Sequence, residues 1–393
     1  MRSIIPTSLA ALPSRTTVEY YTISGGANAV TTASQINVIW PISGTIDYFL
    51  VNLGAAPGGF TSWTFNLIKN GITSLSVTIS NTATSGSNKT QSFHIAAGDT
   101  LVFQSSPSGT PAGAVSVSYA FRFTSDNYNQ SSLVHSNQQQ LTAGINNFCA
   151  FSGDPQTNPT YGNVDSVIPT AGSFSNLYIL LDTASVGNTF TATVYKNSLA
   201  TSIVATVPSG GTTASDTTHS VSVSAGDTIG IRVVNNSASS TPRITTGLCW
   251  SPTQDGEYII FTGQNTTLAQ NTTAYNSFAP GSGAWTATES TRTSTLIACQ
   301  LKKFYLAGSN ITSGQTFTGN IRVNSLTSSL TTTITGPATT NNDSTDIVST
   351  HDNDLLDLQG ITSATTGTVS QPKGSLVVFT PPLKLRKLMG IGL

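Results

Sequence analysis

Three aspartates, Asp99, Asp227 and Asp354, each stand at a turn just ahead of an apolar run. Carboxylates gathered at turns are hard oxygen donors, the kind that calcium takes. The densest group is His351-Asp352-Asn353-Asp354, with Asp343 and Asp346 upstream. The acidic-loop spacing that wraps calcium, closed by a distal glutamate, is missing. No metal site is therefore expected: capping of nearby backbone N–H groups is the leading role for all such turn aspartates, with Asp352 and Asp354 as the metal candidates that compete with it. Acid–base cleavage of a glycoside needs two carboxyls facing across a cleft, whereas Glu19, Glu257 and Glu289 fall in segments read as connectors. His94 and His219 read as strand residues, and no serine sits in a strand-to-helix elbow that would make it a nucleophile. The chain is expected to be no enzyme, and no cofactor is expected. Stacking on sugar rings needs exposed aromatics. Trp40 and Trp250 adjoin strands and read as core, while Trp63 in GGFTSWTF and Trp285 in GSGAWTATE are the better loop candidates for a glycan, with a structural role the leading reading for these two as well.

These residues hang on a repeat. Asn70 in TFNLIKNG, Asn197 in TFTATVYKNS and Asn324 in TFTGNIRVNS recur at one step (197 − 70 = 324 − 197 = 127). That step exceeds the roughly 20–50 residues of solenoid and propeller repeats, so each unit is a domain with its own core. Within the second unit, FSNLYILLD, FTATVYKN, TSIVATVPS, HSVSVSAGD, TIGIRVVNN and RITTGLCW are short runs of Val, Ile, Thr and aromatics between Gly, Asn, Ser and Pro. They read as strands, and the Val/Ser alternation of HSVSVS puts one face on a core and one in water. No stretch repeats apolar residues at helical spacing. The expectation is all-β: three tandem antiparallel β-sandwiches of jelly-roll type, with an immunoglobulin-like sandwich as the alternative. The divisions are an N-terminal arm (1–18), units at 19–124, 125–252 and 253–382, and a C-terminal tail (383–393). EYYTISGG, SLVHSNQQQ and EYIIFTGQN are read as the first strands of the units, and the units as an elongated, semi-rigid row. In the tail, Lys384, Arg386 and Lys387 alternate with Leu383, Leu385 and Leu388. It serves either as a docking strand for a partner or as a last strand over the third unit.

Only 8% of residues are charged, against about 25% in an ordinary soluble domain, so the surface must be covered by hydroxyls and amides. A net charge of −1 gives no general attraction to nucleic acid. No apolar run approaches the ~18 residues of a membrane span, and none is expected to insert. Cys149, Cys249 and Cys299 fall at unrelated places in the repeat, which argues for buried thiols rather than a disulfide framework. Pro6 interrupts the short apolar start of the chain and speaks against an export signal. An exterior-type composition without export fits a particle assembled in a host cytoplasm and released by lysis.

The tandem units, YKN-type hairpins, A-G-D-T turns and Thr/Ser/Asn-rich strands resemble surface proteins of tailed bacteriophages and related virions: capsid decoration proteins, head fibres and tail receptor-binding proteins. Many of these use jelly-roll modules similar to those of the complement C1q and tumour necrosis factor superfamily. The resemblance covers the whole chain and rests on pattern. It implies a virion structural protein, homotrimeric or otherwise homo-oligomeric, with other virion proteins as partners and a host glycan as a candidate ligand. It also implies that IDYFLVNL and LYILLD lie in cores or subunit contacts. A secreted carbohydrate-binding adhesin is the alternative.

Overall fold

The computed structural model describes residues 1–9, 12–23, 29–113, 115–137, 139–151, 157–236, 239–262, 266–278 and 285–381. Unit 1 contains β1 (Arg2–Leu9), β2 (Glu19–Tyr21), β3 (Val38–Ile39), β4 (Gly44–Leu53), β5 (Gly58–Lys69), β6 (Ile72–Asn81), β7 (Ser85–Ile95), β8 (Thr100–Ser108) and β9 (Val117–Ser125). Unit 2 follows with β10 (Ser131–Asn137), β11 (Asn146–Cys149), β12 (Thr157–Asn158), β13 (Ser166–Val167), β14 (Gly172–Leu181) and β15 (Phe190–Lys196). It ends with β16 (Leu199–Val207), β17 (Thr213–Val223), β18 (Thr228–Asn235) and β19 (Ile244–Pro252). Unit 3 has β20 (Glu257–Phe261), β21 (Thr267–Ala269), β22 (Thr273–Asn276), β23 (Ser294–Thr295) and β24 (Gln300–Ser309). Its remaining strands are β25 (Thr316–Val323), β26 (Leu326–Thr335), β27 (Thr340–Ser349), β28 (Leu355–Thr362) and β29 (Thr368–Phe379).

Each unit is an antiparallel sandwich. In unit 1 the sheet β1-β9-β4-β7 faces the sheet β2-β8-β5-β6, with β3 pairing β8. The same order returns as β10-β19-β14-β17 over β11-β18-β15-β16, and as β20-β29-β24-β27 over β22-β28-β25-β26. Apart from the central hairpin of each unit (β5-β6, β15-β16 and β25-β26), which stays in one sheet, the long strands alternate between the two sheets in the manner of a jelly roll. Period-2 burial is plain in β16, where Ile203, Ala205 and Val207 are buried and the residues between are exposed. Across the sandwich of unit 1, Phe103 of β8 stacks on Tyr119 of β9 with ring centroids 4.0 Å apart. Helix is confined, among the described residues, to three single 3-10 turns at equivalent places, Ala33–Gln35, Tyr161–Asn163 and Glu289–Thr291. Among the described residues no helix is long and apolar enough to cross a membrane. No disulfide joins Cys149, Cys249 and Cys299, all buried.

Two expectations change. Residues 2–9 are not an arm outside the repeat: β1 pairs β9 along its whole length, as β10 pairs β19 and β20 pairs β29. Pro6 is tolerated because β1 is an edge strand, where a missing N–H breaks no ladder on the open side. EYYTISGG therefore supplies the second strand of unit 1, through Glu19–Tyr21, and the unit begins at the start of the chain.

The units also do not lie in a row. β3 of unit 1 packs on β10, β14 and β19 of unit 2, β13 of unit 2 on β24 and β29 of unit 3, and β23 of unit 3 on β1, β4 and β9 of unit 1. One element docking on one sheet, three times in cyclic order, closes a ring with pseudo-threefold symmetry. The cause lies in the outer faces of the docked sheets. β1, β19 and β20 are buried on both faces almost throughout, and such strands require cover from outside their own sandwich. Most buried apolar residues of all three units form one contiguous cluster, with Ile36, Ile68 and Val102 of unit 1 a small separate one. A cavity of about 30 Å³ lies where the first strands converge, lined by Ile5, Pro6, Leu133, Val134, Ile259 and Phe261 among others.

Candidate functional site: the seams and a charged crevice

The repeated aspartates fasten hairpins. Asn70 Nδ2 donates to Asp99 Oδ1 at 2.7 Å, Asn197 to Asp227 at 2.8 Å and Asn324 to Asp354 at 2.8 Å. The second oxygen of each accepts the backbone N–H three residues upstream, from Ala96, Ser224 and His351. Lys69 and Lys196 close two of the three clamps at 3.5 and 3.0 Å. Burial raises the carboxyl pKa of Asp99, but the Ala96 N–H, the Asn70 amide and Lys69 outweigh it and hold it below the usual range. The Asn324 amide and the His351 backbone N–H thus occupy the oxygens of Asp354 that a cation would need. Among the described residues no group of three or more His, Cys, Asp and Glu side chains is placed to hold a metal ion.

Asp352 serves the seam between units 3 and 1. Its Oδ2 accepts Tyr48 Oη at 2.5 Å and Lys89 Nζ at 2.7 Å, and its Oδ1 accepts the Ala298 N–H at 3.0 Å. Burial pushes this carboxyl up, while Lys89 and Tyr48 more than reverse it. Nearby, Thr295 Oγ1 meets Asn52 Nδ2 at 2.9 Å and Ser118 Oγ at 2.8 Å. Tyr48 reaches across because it sits on a β-bulge with φ of 57°. The equivalent bulges carry Asn176 at 52° and Lys303 at 53°. A bulge re-aims its side chain, and Lys303 turns to the seam between units 2 and 3. There its Nζ lies 3.0 Å from Thr170 Oγ1 and 2.6 Å from Glu257 Oε1. Glu257 is fully buried, takes Lys302 at 2.9 Å and accepts the Thr170 hydroxyl at 2.6 Å. Lys373 pairs with Asp165 across the same seam. The seam between units 1 and 2 is closed by shape: a Cβ on Gly247 would stand 2.4 Å from the Ile39 carbonyl oxygen and 2.9 Å from the Pro41 ring.

Trp63 cannot stack on a sugar. It is fully buried in β5, with its indole N–H 3.3 Å from the Ser14 carbonyl. Its neighbours in period, Phe65 and Leu67, are buried with it. Trp285 is half-buried against Phe317, 6.2 Å between centroids, and donates to the Pro372 carbonyl at 3.2 Å. It lies over Gly360, where a Cβ would come within 2.5 Å of its ring. Trp40 and Trp250 are core residues, as expected. Glu19, Glu257 and Glu289 sit in β2, in β20 and in a 3-10 turn, and they form no facing pair. The tail residues Leu383, Lys384, Leu385, Arg386, Lys387 and Leu388 lie outside the described residues.

A charged crevice distinguishes unit 3. Under its 3-10 turn, Arg322 of β25 holds Glu289 in a fork, Nε to Oε1 at 2.7 Å and Nη2 to Oε2 at 3.3 Å. Asp357, opposite Arg322 on β28, is fully buried, and neither of its oxygens meets the geometry of a hydrogen bond. Burial first, and then the Glu289 charge, push the Asp357 carboxyl up to about 8, so it is a neutral acid at pH 7. Shifts of this kind gather at functional sites, but Asp357 is closed to solvent and has no route for exchanging a proton with a substrate.

Sequence reasoning missed Tyr48, Lys303 and Glu257 as seam residues. A bulge leaves no mark on an alternating pattern, and a positive φ at Tyr or Lys has no sequence signature. No family model matches the chain, and no curated protein matches it in sequence.

Proposed function

We propose that this chain is a non-enzymatic structural protein of a virion surface, a capsid decoration, fibre or tail component that presents its loops outward. The observation that carries the reading is the closure of three diverged jelly rolls around one continuous apolar core within a single chain. Evenly repeated docking of this sort builds a rigid, outward-facing platform. The sparsely charged exterior, rich in Ser, Thr and Asn, suits exposure on a particle released by lysis. Because the ring is already complete within one chain, the threefold arrangement of the resembled modules is supplied once per polypeptide. Further copies and other virion proteins then attach through the ring's outside and the 383–393 tail.

The test is particle association. Purified protein should run as a discrete species at a multiple of 40.8 kDa, co-sediment with particles stripped of it, and lose that association when residues 383–393 are removed. Recovery only as a free monomer with no affinity for particles would overturn the reading. The second reading, a glycan-binding adhesin, is favoured by a crevice of about 210 Å³ at the seam of units 3 and 1, lined by Ser8, Asn52, Ser116, Ser290 and Thr293. It predicts saturable glycan binding that a bulky substitution such as Ser116→Phe abolishes, and a glycan array with no hits would remove it.

A further inference from the structure

Strand β10 is where unit 2 meets both neighbours. It packs on β1, β3 and β9 of unit 1, and its Ser132 carbonyl accepts the Tyr258 hydroxyl of unit 3 at 3.4 Å. In the same strand, His135 is buried and neither ring nitrogen has a hydrogen-bond partner. The equivalent residues are threonines with partners. Thr7 donates to the Ile23 carbonyl at 3.0 Å, and Thr262 Oγ1 accepts the Gly374 N–H at 2.7 Å. Across the strand pair Thr7 faces Tyr119, whereas His135 faces Thr246. The imidazole fills its space without gaining a polar contact.

A neutral imidazole can occupy such a place, but an imidazolium there is a buried charge without a counter-ion. Arg2 on β1, Tyr119 and Arg122 on β9, Cys249 on β19, and Glu257 and Tyr258 on β20 are the titratable groups carried by the strands around β10, and β3 carries none. Arg122 is held by Asp47 at 2.6 Å and Glu257 by its two lysines. Burial alone lowers the His135 pKa from 6.5 to about 4, with no contribution from any of these charges.

We propose that His135 is an acid-operated release for the ring: proton uptake at its imidazole drives β10 off β19 and opens the contacts that β10 makes with both neighbouring units. The open state titrates with the ordinary histidine pKa, so between pH 6.5 and about 4 it binds more protons than the closed state. Closure is complete above pH 6.5 and is lost as pH falls through that window. The opening equilibrium rises by up to ~10-fold per pH unit.

Native-state hydrogen exchange at pH 7 and pH 5, corrected for intrinsic rates, reads this out. Wild-type amides in 131–137 and 244–252 should lose protection by roughly 10-fold or more beyond any loss in 2–9 and 117–125. His135→Thr and His135→Leu should remove that excess. Equal acid sensitivity in both variants, or loss of protection first in unit 1, would overturn the proposal. Should either variant fold poorly, imidazole proton resonances of the wild type decide: His135 must stay neutral at pH 5 while the ring is closed, and titration near 6.5 in the closed ring would sink it.

Discussion

The same crevice beneath the 3-10 turn is built three ways, and units 1 and 3 are the extremes. In unit 1 it is filled by Ile36, Ile68 and Val102, with Ala33, Val30 and Tyr20 around them. In unit 3, Arg322 stands where unit 1 has Ile68, Asp357 where it has Val102 and Glu289 where it has Ala33. Unit 2 takes a third course, with Phe148 packed edge to face on Tyr161 and on Tyr195, and the Tyr161 ring over Gly230. The jelly roll demands only that this volume be filled. Apolar filling gains transfer free energy, whereas the charged set must recover the desolvation of the Arg322–Glu289 pair and of the neutral Asp357 acid through one guanidinium fork and does so incompletely. Unit 3 carries a stored cost that unit 1 lacks.

The largest effect is expected from carrying one member of the charged set into the apolar crevice. Val102→Asp places a carboxylate where no arginine waits, and should cost about 3–5 kcal/mol in urea unfolding. A loss below ~1 kcal/mol would mean that the crevice of unit 1 admits water. Next comes Arg322→Leu, which leaves two carboxyls without their cation and should destabilise unit 3 by about 2–3 kcal/mol, read as an early transition confined to residues 257–380 in hydrogen exchange.

The third test is a pH profile. The folded pKa of Asp357 is raised above its unfolded 3.8, so its contribution is fully present below pH 3.8 and is lost as pH rises towards 8. Asp357→Asn should therefore match the wild type near pH 4 and exceed it by on the order of 2 kcal/mol at pH 8. Parallel stability curves for the two proteins would refute the buried-acid description. The smallest effect separates the units at their hairpin tips. Unit 1 has Gly71 at φ of 79°, where units 2 and 3 force Ser198 to 66° and Ser325 to 62°. Ser198→Gly and Ser325→Gly should each stabilise by ~1 kcal/mol, visible as small, additive rises in Tm.

Much of the fold was legible because local chemistry and pattern agree. The Asn-Gly and Asn-Ser tips, the alternation in β16 and β17 and the spaced aspartates all describe one sandwich, and the repeat multiplies it by three. Trp63 shows how context misleads. Its Gly-rich approach suggested a loop, yet Trp63, Phe65 and Leu67 keep period 2 and are core. Closure of the ring was less accessible. Strands such as β20, apolar on both faces, announce that something covers them, but a sequence does not say whether the cover is a neighbouring unit or a second chain. Asp352 is the same problem in miniature. Its acidic setting suggested a cation, and the cation turned out to be the ammonium of Lys89, far away in the chain.

One contact at the seam bears on how such a chain is put in order. Thr380 Oγ1 donates to the Arg2 carbonyl at 2.5 Å, close to where the connectors to units 2 and 3 are themselves joined by Tyr128 Oη and Asp255 at 2.6 Å. Arg2, Thr380 and both connectors thus gather at one end of the ring, and any of the three junctions is a workable place for it to be cut. Joining Thr380 to Arg2 through a short glycine linker and opening the chain at Asn127 would leave every seam intact while unit 2 leaves the ribosome first. Synthesis order and spatial order are separable here, which makes the ring a natural frame for circular permutation.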